Sequence, residues 1–146
     1  MVLRLWVITT NWVCVQSSRS TRFNDTVINH SIISQGAVID AKEITNSVIG
    51  IRIKIKKGTV IRDSIILGSL YNEPHLVSTY LGEDDFSIGE NCLIEKAILD
   101  EHTCIGNNVQ LINKNKLHKF DGDGIFIRDG IIIVTSGTRI PDGFVL

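Results

Sequence analysis

The sequence predicts an all-β fold, a left-handed parallel β-helix made of hexapeptide repeats in about five to six coils. Branched aliphatic residues recur every six positions along most of the chain, as at Ile49, Ile55 and Ile61. Six is neither the period of an α-helix nor the alternation of a simple strand. It is typical of short strands that wind into a triangular prism, with three hexads in each turn. Twelve glycines against two prolines also suit many tight corners between short strands.

Each strand is predicted from a series of aliphatic residues spaced six positions apart. The inward side chains are predicted at Val27, Ile33 and Ile39, at Ile49, Ile55, Ile61 and Leu67, at Ile88 and Ile94, at Ile105 and Leu111, and at Val134, Ile140 and Leu146. The phase slips between Ile39 and Ile49, so a shortened corner or a bulge is expected over 41–47. The left hand is expected because hexapeptide prisms with Ile/Val-Gly corners are the known exception to right-handed crossovers.

The repeat divides the chain into a leader, a prism and two insertions. Residues 1–24 lack the period and are expected to be a non-repeat leader, which either packs as an irregular strand or stays mobile. A targeting segment is the alternative, because Arg and Ser are present and no acid precedes Asp25. Residues 25–146 form the β-helix domain. The turn-rich stretches 69–86 and 113–124 interrupt its period and are expected to be inserted loops.

The net charge, cysteines and histidines of the chain argue against several classes of function. The formal net charge is −1, which gives no overall attraction to nucleic acid or to an anionic membrane. The three cysteines, Cys14, Cys92 and Cys104, have no zinc-ligand spacing. They favour reduced thiols and a compartment other than a secretory one. The histidines also lack the mutual spacing of metal ligands, so no metal site is expected.

Several ordered stretches are similar to one enzyme family. They are Val-Ile-Gly-Ile-Arg over 48–52, Ile-Leu-Gly-Ser-Leu-Tyr over 66–71, Ile-Gly-Glu-Asn over 88–91, Ala-Ile-Leu-Asp over 97–100, and Gly-Ile-Phe-Ile-Arg-Asp-Gly-Ile over 124–131. Together they resemble the C-terminal β-helix domain of glucose-1-phosphate adenylyltransferase (ADP-glucose pyrophosphorylase). The resemblance covers about residues 25–146 and includes an insertion at the same place.

This resemblance implies a regulatory and oligomerisation domain, without catalytic residues of its own. Family members make ADP-glucose from ATP and glucose 1-phosphate with magnesium, in starch or glycogen synthesis. That chemistry belongs to an N-terminal nucleotidyltransferase domain with a Gly-rich phosphate loop, which has no counterpart in this sequence. The expected partners are therefore that catalytic domain or full-length adenylyltransferase subunits in an oligomer. The expected compartment is the cytoplasm of a bacterium or the plastid of a plant.

The resemblance also suggests binding residues for an anionic sugar-phosphate effector. Arg128 lies where many members have an effector-binding lysine, and Asp100 matches an acid of the same region. Arg52, at a coil corner, is the third candidate, because it is placed to face an anion or the catalytic domain. Glu101 and Cys104 stand where plant and cyanobacterial members commonly have cations, which argues against a 3-phosphoglycerate type of site.

Two other functions remain open from the sequence. His102, in a loop between coils, invites comparison with hexapeptide acyltransferases, which use a histidine base between the subunits of a trimer. The second alternative is a truncated structural relative that binds no ligand.

Overall fold

The computed structural model describes residues 20–68 and 87–146, and within them it has strands and no helix. The leader up to residue 19 and the first predicted loop therefore lie outside the described residues. The strands are β1 Arg22–Phe23, β2 Val27–Asn29, β3 Ile32–Ile33, β4 Val38–Ile39, β5 Glu43–Thr45, β6 Val48–Ile51, β7 Lys54–Ile55, β8 Val60–Arg62, β9 Ile65–Gly68, β10 Ser87–Ile88, β11 Leu93–Glu95, β12 Ala97–Leu99, β13 Cys104–Ile105, β14 Gln110–Leu111, β15 Lys119–Asp121, β16 Ile125–Arg128, β17 Ile131–Val134 and β18 Arg139–Ile140.

Successive strands lie on three different sheets, so the chain winds as a three-sided parallel β-helix. Face 1 contains β1, β4, β7, β10, β13 and β18, in that spatial order. Face 2 contains β2, β5, β8, β11 and β14, and face 3 contains β3, β6, β9, β12, β17, β16 and β15. All pairings are parallel except those that β16 makes with β15 and β17. The described strands make five coils and the start of a sixth, as predicted.

The core consists of three columns of aliphatic side chains, one behind each face. Residues paired in register across a sheet point to the same side, so one inward position is repeated from coil to coil. The columns are Ile39, Ile55, Ile88, Ile105 and Ile140 behind face 1, Ile28, Ile44, Ile61, Ile94 and Leu111 behind face 2, and Ile33, Ile49, Ile66, Leu99 and Val134 behind face 3. All but Ile28 are at most 3% exposed.

Two inward assignments from the sequence are wrong. Leu67 is 43% exposed and Val27 is 56% exposed, while their neighbours Ile66 and Ile28 occupy the inward positions. The reason is that the chain passes from face 2 to face 3 in five residues, as from Ile61 to Ile66, so a strict count of six overshoots. The stretch 41–47 is also more than a corner or bulge, because it contains strand β5.

The corner between faces 2 and 3 repeats a left-handed backbone conformation. The residues at this corner all have positive φ angles between 45° and 50°, and they are His30, Asn46, Asp63, Lys96 and Asn113. Asn and Asp tolerate this region better than most residues, which explains three of the five. The repeated conformation turns each coil in the same way and keeps the successive strands in register.

The second predicted loop, 113–124, is not wholly irregular. Its last residues include β15, which forms an antiparallel meander with β16 and β17 at the end of face 3. Strand β17 in turn pairs in parallel with β12, so the meander extends face 3 of the prism. Antiparallel neighbours need only short turns, which allows this change of direction within a few residues.

A search of the described ranges finds no helix that is long and apolar enough to cross a membrane.

Candidate functional site

The outer surface of face 3 carries an uninterrupted column of branched aliphatic side chains. This apolar column is formed by Ile32, Val48, Ile65, Ile98 and Ile133, which pair in register from strand to strand. Ile32, Val48 and Ile65 are 48%, 38% and 40% exposed. At about 4.8 Å between strands, the column is roughly 19 Å long. Phe126 pairs with Ile133 and continues it onto the meander.

Among the described strands of the other two faces, the outward residues do not form such a column. The outward residues of face 1 are Arg22, Val38, Lys54, Ser87, Cys104 and Arg139, and those of face 2 are Val27, Glu43, Val60, Leu93 and Gln110. Contiguous exposed apolar surface marks interaction sites more often than scattered apolar residues do. This column is not predicted from the sequence above, although the doublets Ile32-Ile33, Val48-Ile49 and Ile65-Ile66 contain the signal.

The structure brings two of the three candidate effector residues to one corner, between faces 3 and 1. Arg52 follows β6, and Asp100 follows β12. Ile51 is in register with Gly68, and Leu99 is in register with Ile66, so these two corners flank the point where residues 69–86 leave the prism. Two strand spacings, roughly 10 Å, separate the two corners. Counted from the registered residues Ile49 and Leu99, Arg52 lies two positions further along the chain than Asp100. Arg52 has a φ of +54° and donates its amide N–H to the carbonyl of Gln35 at 3.1 Å.

Asp100 has a structural role at this corner. Its Oδ1 accepts the amide N–H of Glu101 at 2.8 Å, and its carbonyl accepts the Thr103 hydroxyl at 2.6 Å. His102 follows with a φ of +59°, and its Nδ1 lies 3.9 Å from Oε2 of Glu101. The Glu101 carboxylate therefore lies beside the imidazole, at a half-buried position.

A small cavity opens at the same corner. Asp100, His102 and Thr103 line it together with Gly68 and Ile88, on either side of the 69–86 segment. Its volume is about 10 Å³, close to what one water molecule requires. The cavity is thus far smaller than a nucleotide or sugar-phosphate site, and any ligand at this corner would bind on its surface.

Arg128 lies apart from the other two candidates and is held within the meander. Its guanidinium pairs with the carboxylate of Asp121 and donates to the carbonyls of Phe120 and Ile127 at 2.9 and 2.8 Å. It also lies 5.5 Å from the ring centroid of Phe126. Arg128 is paired with Ile131 at the turn end of the hairpin, which is near the corner between faces 2 and 3. An anion would have to compete with Asp121 for this guanidinium.

Comparison with protein families explains this geometry. The family model of the GLGC left-handed parallel β-helix domain matches residues 19–145. The chain belongs to this family. The match confirms the left hand of the coils, which the hexad period alone did not determine. It also confirms the similarity to the C-terminal β-helix domain of glucose-1-phosphate adenylyltransferase.

The titratable groups with displaced pKa values in this GLGC-type domain lie away from the corner. Burial raises the pKa of the Cys92 thiol, whose Sγ donates to the carbonyl of Gly106 at 3.1 Å. On face 2, hydrogen bonds from Arg62 lower the pKa of Glu43, and burial opposes this effect weakly. Both displacements have structural causes, a buried thiol and a two-point ion pair.

Within residues 20–68 and 87–146, the His, Cys, Asp and Glu side chains form no group of three or more that would hold a metal ion. Among the described residues, Cys92 and Cys104 form no disulfide.

Proposed function

We propose that this chain is the regulatory and assembly domain of a glucose-1-phosphate adenylyltransferase and performs no catalysis alone. Family membership supports the relationship to that enzyme. In this proposal ATP, magnesium and glucose 1-phosphate bind a nucleotidyltransferase domain, and the β-helix holds that domain and assembles subunits. The site of action is the cytoplasm or a plastid, where the thiols of Cys92 and Cys104 stay reduced.

The single observation that carries the proposal is the apolar column of face 3. Ile32, Val48 and Ile65 are 38–48% exposed on a flat parallel sheet, a surface that a protein domain covers more readily than a small polar ligand. Burying these side chains against a partner removes apolar area from water at about 25 cal/mol per Å². The column thus provides a docking surface for the nucleotidyltransferase domain.

The test is association with a separately produced nucleotidyltransferase domain of a glucose-1-phosphate adenylyltransferase. Light scattering after size exclusion measures the complex, and ADP-glucose synthesis measures its activity. We expect Val48→Asp and Ile65→Asp to prevent the complex, because each places a charge in the apolar column. Val27→Asp is the control, since Val27 is also exposed, at 56%, but lies on face 2. The proposal is contradicted if the two domains do not associate, or if all three variants lose association to the same extent.

The effector is proposed to bind the corner between faces 3 and 1. Arg52 supplies the charge that attracts a phosphate ester, and Asp100 accepts a hydrogen bond from a hydroxyl of the same molecule. Arg128 lies at the other end of the face 3 strands, so in this proposal it binds a phosphate separately, and only after its guanidinium leaves Asp121. Ligand binding raises the melting temperature by mass action, so a thermal shift with a sugar phosphate such as glucose 6-phosphate, and with inorganic phosphate for comparison, measures it.

We expect Arg52→Gln to remove most of the thermal shift and Arg128→Gln, at the other end of the face 3 strands, to have a smaller effect. Lys114→Gln is the control, because Lys114 is an exposed cation outside that corner. A shift that is equal in all three variants indicates nonspecific anion binding.

Titration with acetyl-CoA tests the acyltransferase alternative, which requires the coenzyme to bind between the β-helices of neighbouring subunits. The structural alternative without a ligand predicts no shift with any of these compounds.

A further inference from the structure

The antiparallel meander ends in an exposed strand edge. It extends face 3 by two strands, β16 and β15, beyond the last parallel strand, β17. Strand β15 is the terminal strand of this sheet, and among the described strands it pairs with β16 alone. The side chains of Lys119 and Asp121 are 73% and 54% exposed, and Phe120 between them is 36% exposed. A strand edge of this kind can pair with a strand of another chain.

The hydrogen bonds of the meander show which backbone groups of β15 point away from β16. Gly122 donates its amide N–H to the carbonyl of Ile125 at 2.9 Å, so these two residues form a bonded pair. Bonded and non-bonded pairs alternate along an antiparallel ladder, so Phe120 belongs to the next bonded pair. The N–H and C=O groups of Lys119 and Asp121 therefore point outward, to the side opposite β16.

The order of side chains in β15 makes this strand complementary to a second copy of itself. Two antiparallel copies with Phe120 opposite Phe120 place each Lys119 opposite Asp121 of the other copy. Lys119 and Asp121 then form bonded pairs across the contact, and each pair exchanges both of its backbone hydrogen bonds. The charged side chains lie on one side of the joined sheet, and the two phenylalanine rings lie on the other.

The neighbouring registers lack this complementarity. Centring the pair on Lys119 would place two lysines opposite each other, and centring it on Asp121 would place two carboxylates opposite each other. Like charges directly opposite destabilise a sheet, whereas opposite charges and aromatic pairs stabilise it. Within one copy, Lys119 is in register with the like charge of Arg128, and it shares the Asp121 carboxylate with that guanidinium. A second copy supplies Lys119 with a carboxylate directly across the strand.

We propose that two copies of this chain pair through β15 in an antiparallel, two-fold arrangement that joins two prisms end to end. The partner is a second copy because the charges of β15 are complementary to those of the same strand in this register. The face 3 sheets of both copies then form one continuous sheet. The contact requires no nucleotidyltransferase domain, so it goes beyond the proposed function, and it does not cover the apolar column of face 3.

Sedimentation equilibrium of the intact chain measures the pairing. The contact is smaller than a standard stable interface, so the dimer should be weak, and chain concentrations up to about 1 mM are needed. Lys119→Asp and Asp121→Lys should each weaken self-association about tenfold, because each places like charges opposite each other. An equimolar mixture of the two variants should dimerise as the parent chain does, because opposite charges then meet again.

Two controls accompany these variants. Lys114→Asp makes the same change of charge at an exposed cation outside β15, and it should leave self-association unchanged. Asp121→Lys also removes the ion-pair partner of Arg128, so circular dichroism checks that this variant folds. Where it does not fold, Lys119→Asp alone decides the result.

Hydrogen exchange tests the register. The amides of Lys119 and Asp121 should become protected as the chain concentration rises, whereas the Phe120 amide, bonded within the meander, should be protected at every concentration. A parent chain that stays monomeric up to about 1 mM overturns the proposal. Self-association that Lys119→Asp leaves unchanged also overturns it. If Ile65→Asp removes that association instead, two copies meet through the apolar column of face 3.

Discussion

The hydroxyl of Ser47 links two coils of the β-helix, because its Oγ accepts the amide N–H of Ser64 at 3.2 Å. The same hydroxyl donates to the carbonyl of Thr45 at 2.8 Å. Ser31 makes the same pair of contacts one coil earlier, and Ser64 makes them one coil later with Ala97. All three serines are at most 3% exposed, so a column of buried hydroxyls satisfies the backbone at this corner.

Ser47→Ala should therefore destabilise the chain. The substitution leaves the buried N–H of Ser64 without an acceptor, at an expected loss of about 1–3 kcal/mol in the free energy of unfolding. Urea denaturation followed by circular dichroism measures the loss. Ser136→Ala, at an exposed position, should leave the midpoint unchanged. A Ser47→Ala midpoint equal to that of the control would show that water replaces the hydroxyl.

Ile61 and its neighbour Val60 should respond very differently to the same polar substitution. Ile61 is fully buried in the column behind face 2, whereas Val60 points outward and is half-buried. Ile61→Asn places an amide in the apolar core and should cost about 3–5 kcal/mol or prevent folding. Val60→Asn should cost much less. Equal unfolding midpoints for the two variants would contradict the inward assignment of Ile61.

Acid should remove the contribution of the ion pair on face 2. Arg62 lowers the folded-state pKa of Glu43, so the pair stabilises the native state above the ordinary pKa of a glutamate. This stabilisation is lost as the pH falls through the lowered value, because the carboxylate then takes up a proton. Arg62→Gln should flatten the acid limb of the stability profile, most clearly at low salt. If the stability of the parent and of the variant falls equally with decreasing pH, the ion pair does not contribute as expected.

Cys92 should be unreactive in the folded chain. Its thiol is 2% exposed, its pKa is raised by burial, and it donates to the carbonyl of Gly106, all of which oppose the reactive thiolate. In a Cys14→Ser background, iodoacetamide labelling followed by mass spectrometry should modify Cys104 first. Both thiols should react at similar rates in urea. Rapid native labelling of Cys92 would mean that the coils around Thr59 open frequently.

The sequence predicted the six-residue repeat correctly, but it predicted less well which residue of each repeat points inward. Ile49, Ile55 and Ile61 are inward as expected, because branched side chains at inward positions leave a periodic trace. Leu67 and Val27 were wrongly assigned to inward positions. Each belongs to a pair of adjacent aliphatic residues, so counting five or six residues along the chain reaches an aliphatic side chain in either case. Only pairing with neighbouring coils shows which member of a doublet faces the core.

The candidate site was predictable in part. Family resemblance pointed to Arg52, Asp100 and Arg128, and the fold places Arg52 and Asp100 at one corner. That Arg128 is paired with Asp121 in an antiparallel meander was not evident from the sequence. The two residues are seven positions apart, and only the hairpin geometry brings their side chains together.

The amino-acid sequence by itself determined the parallel three-sided architecture, the number of coils and the family. These follow from a local repeat, in which each hexad carries its own inward residue and corner. The tertiary structure alone decided which aliphatic residues remain outside, and thus the apolar column of Ile32, Val48 and Ile65 on face 3. A surface of this kind is built from residues 16 or 17 positions apart, and they become neighbours only when the coils stack.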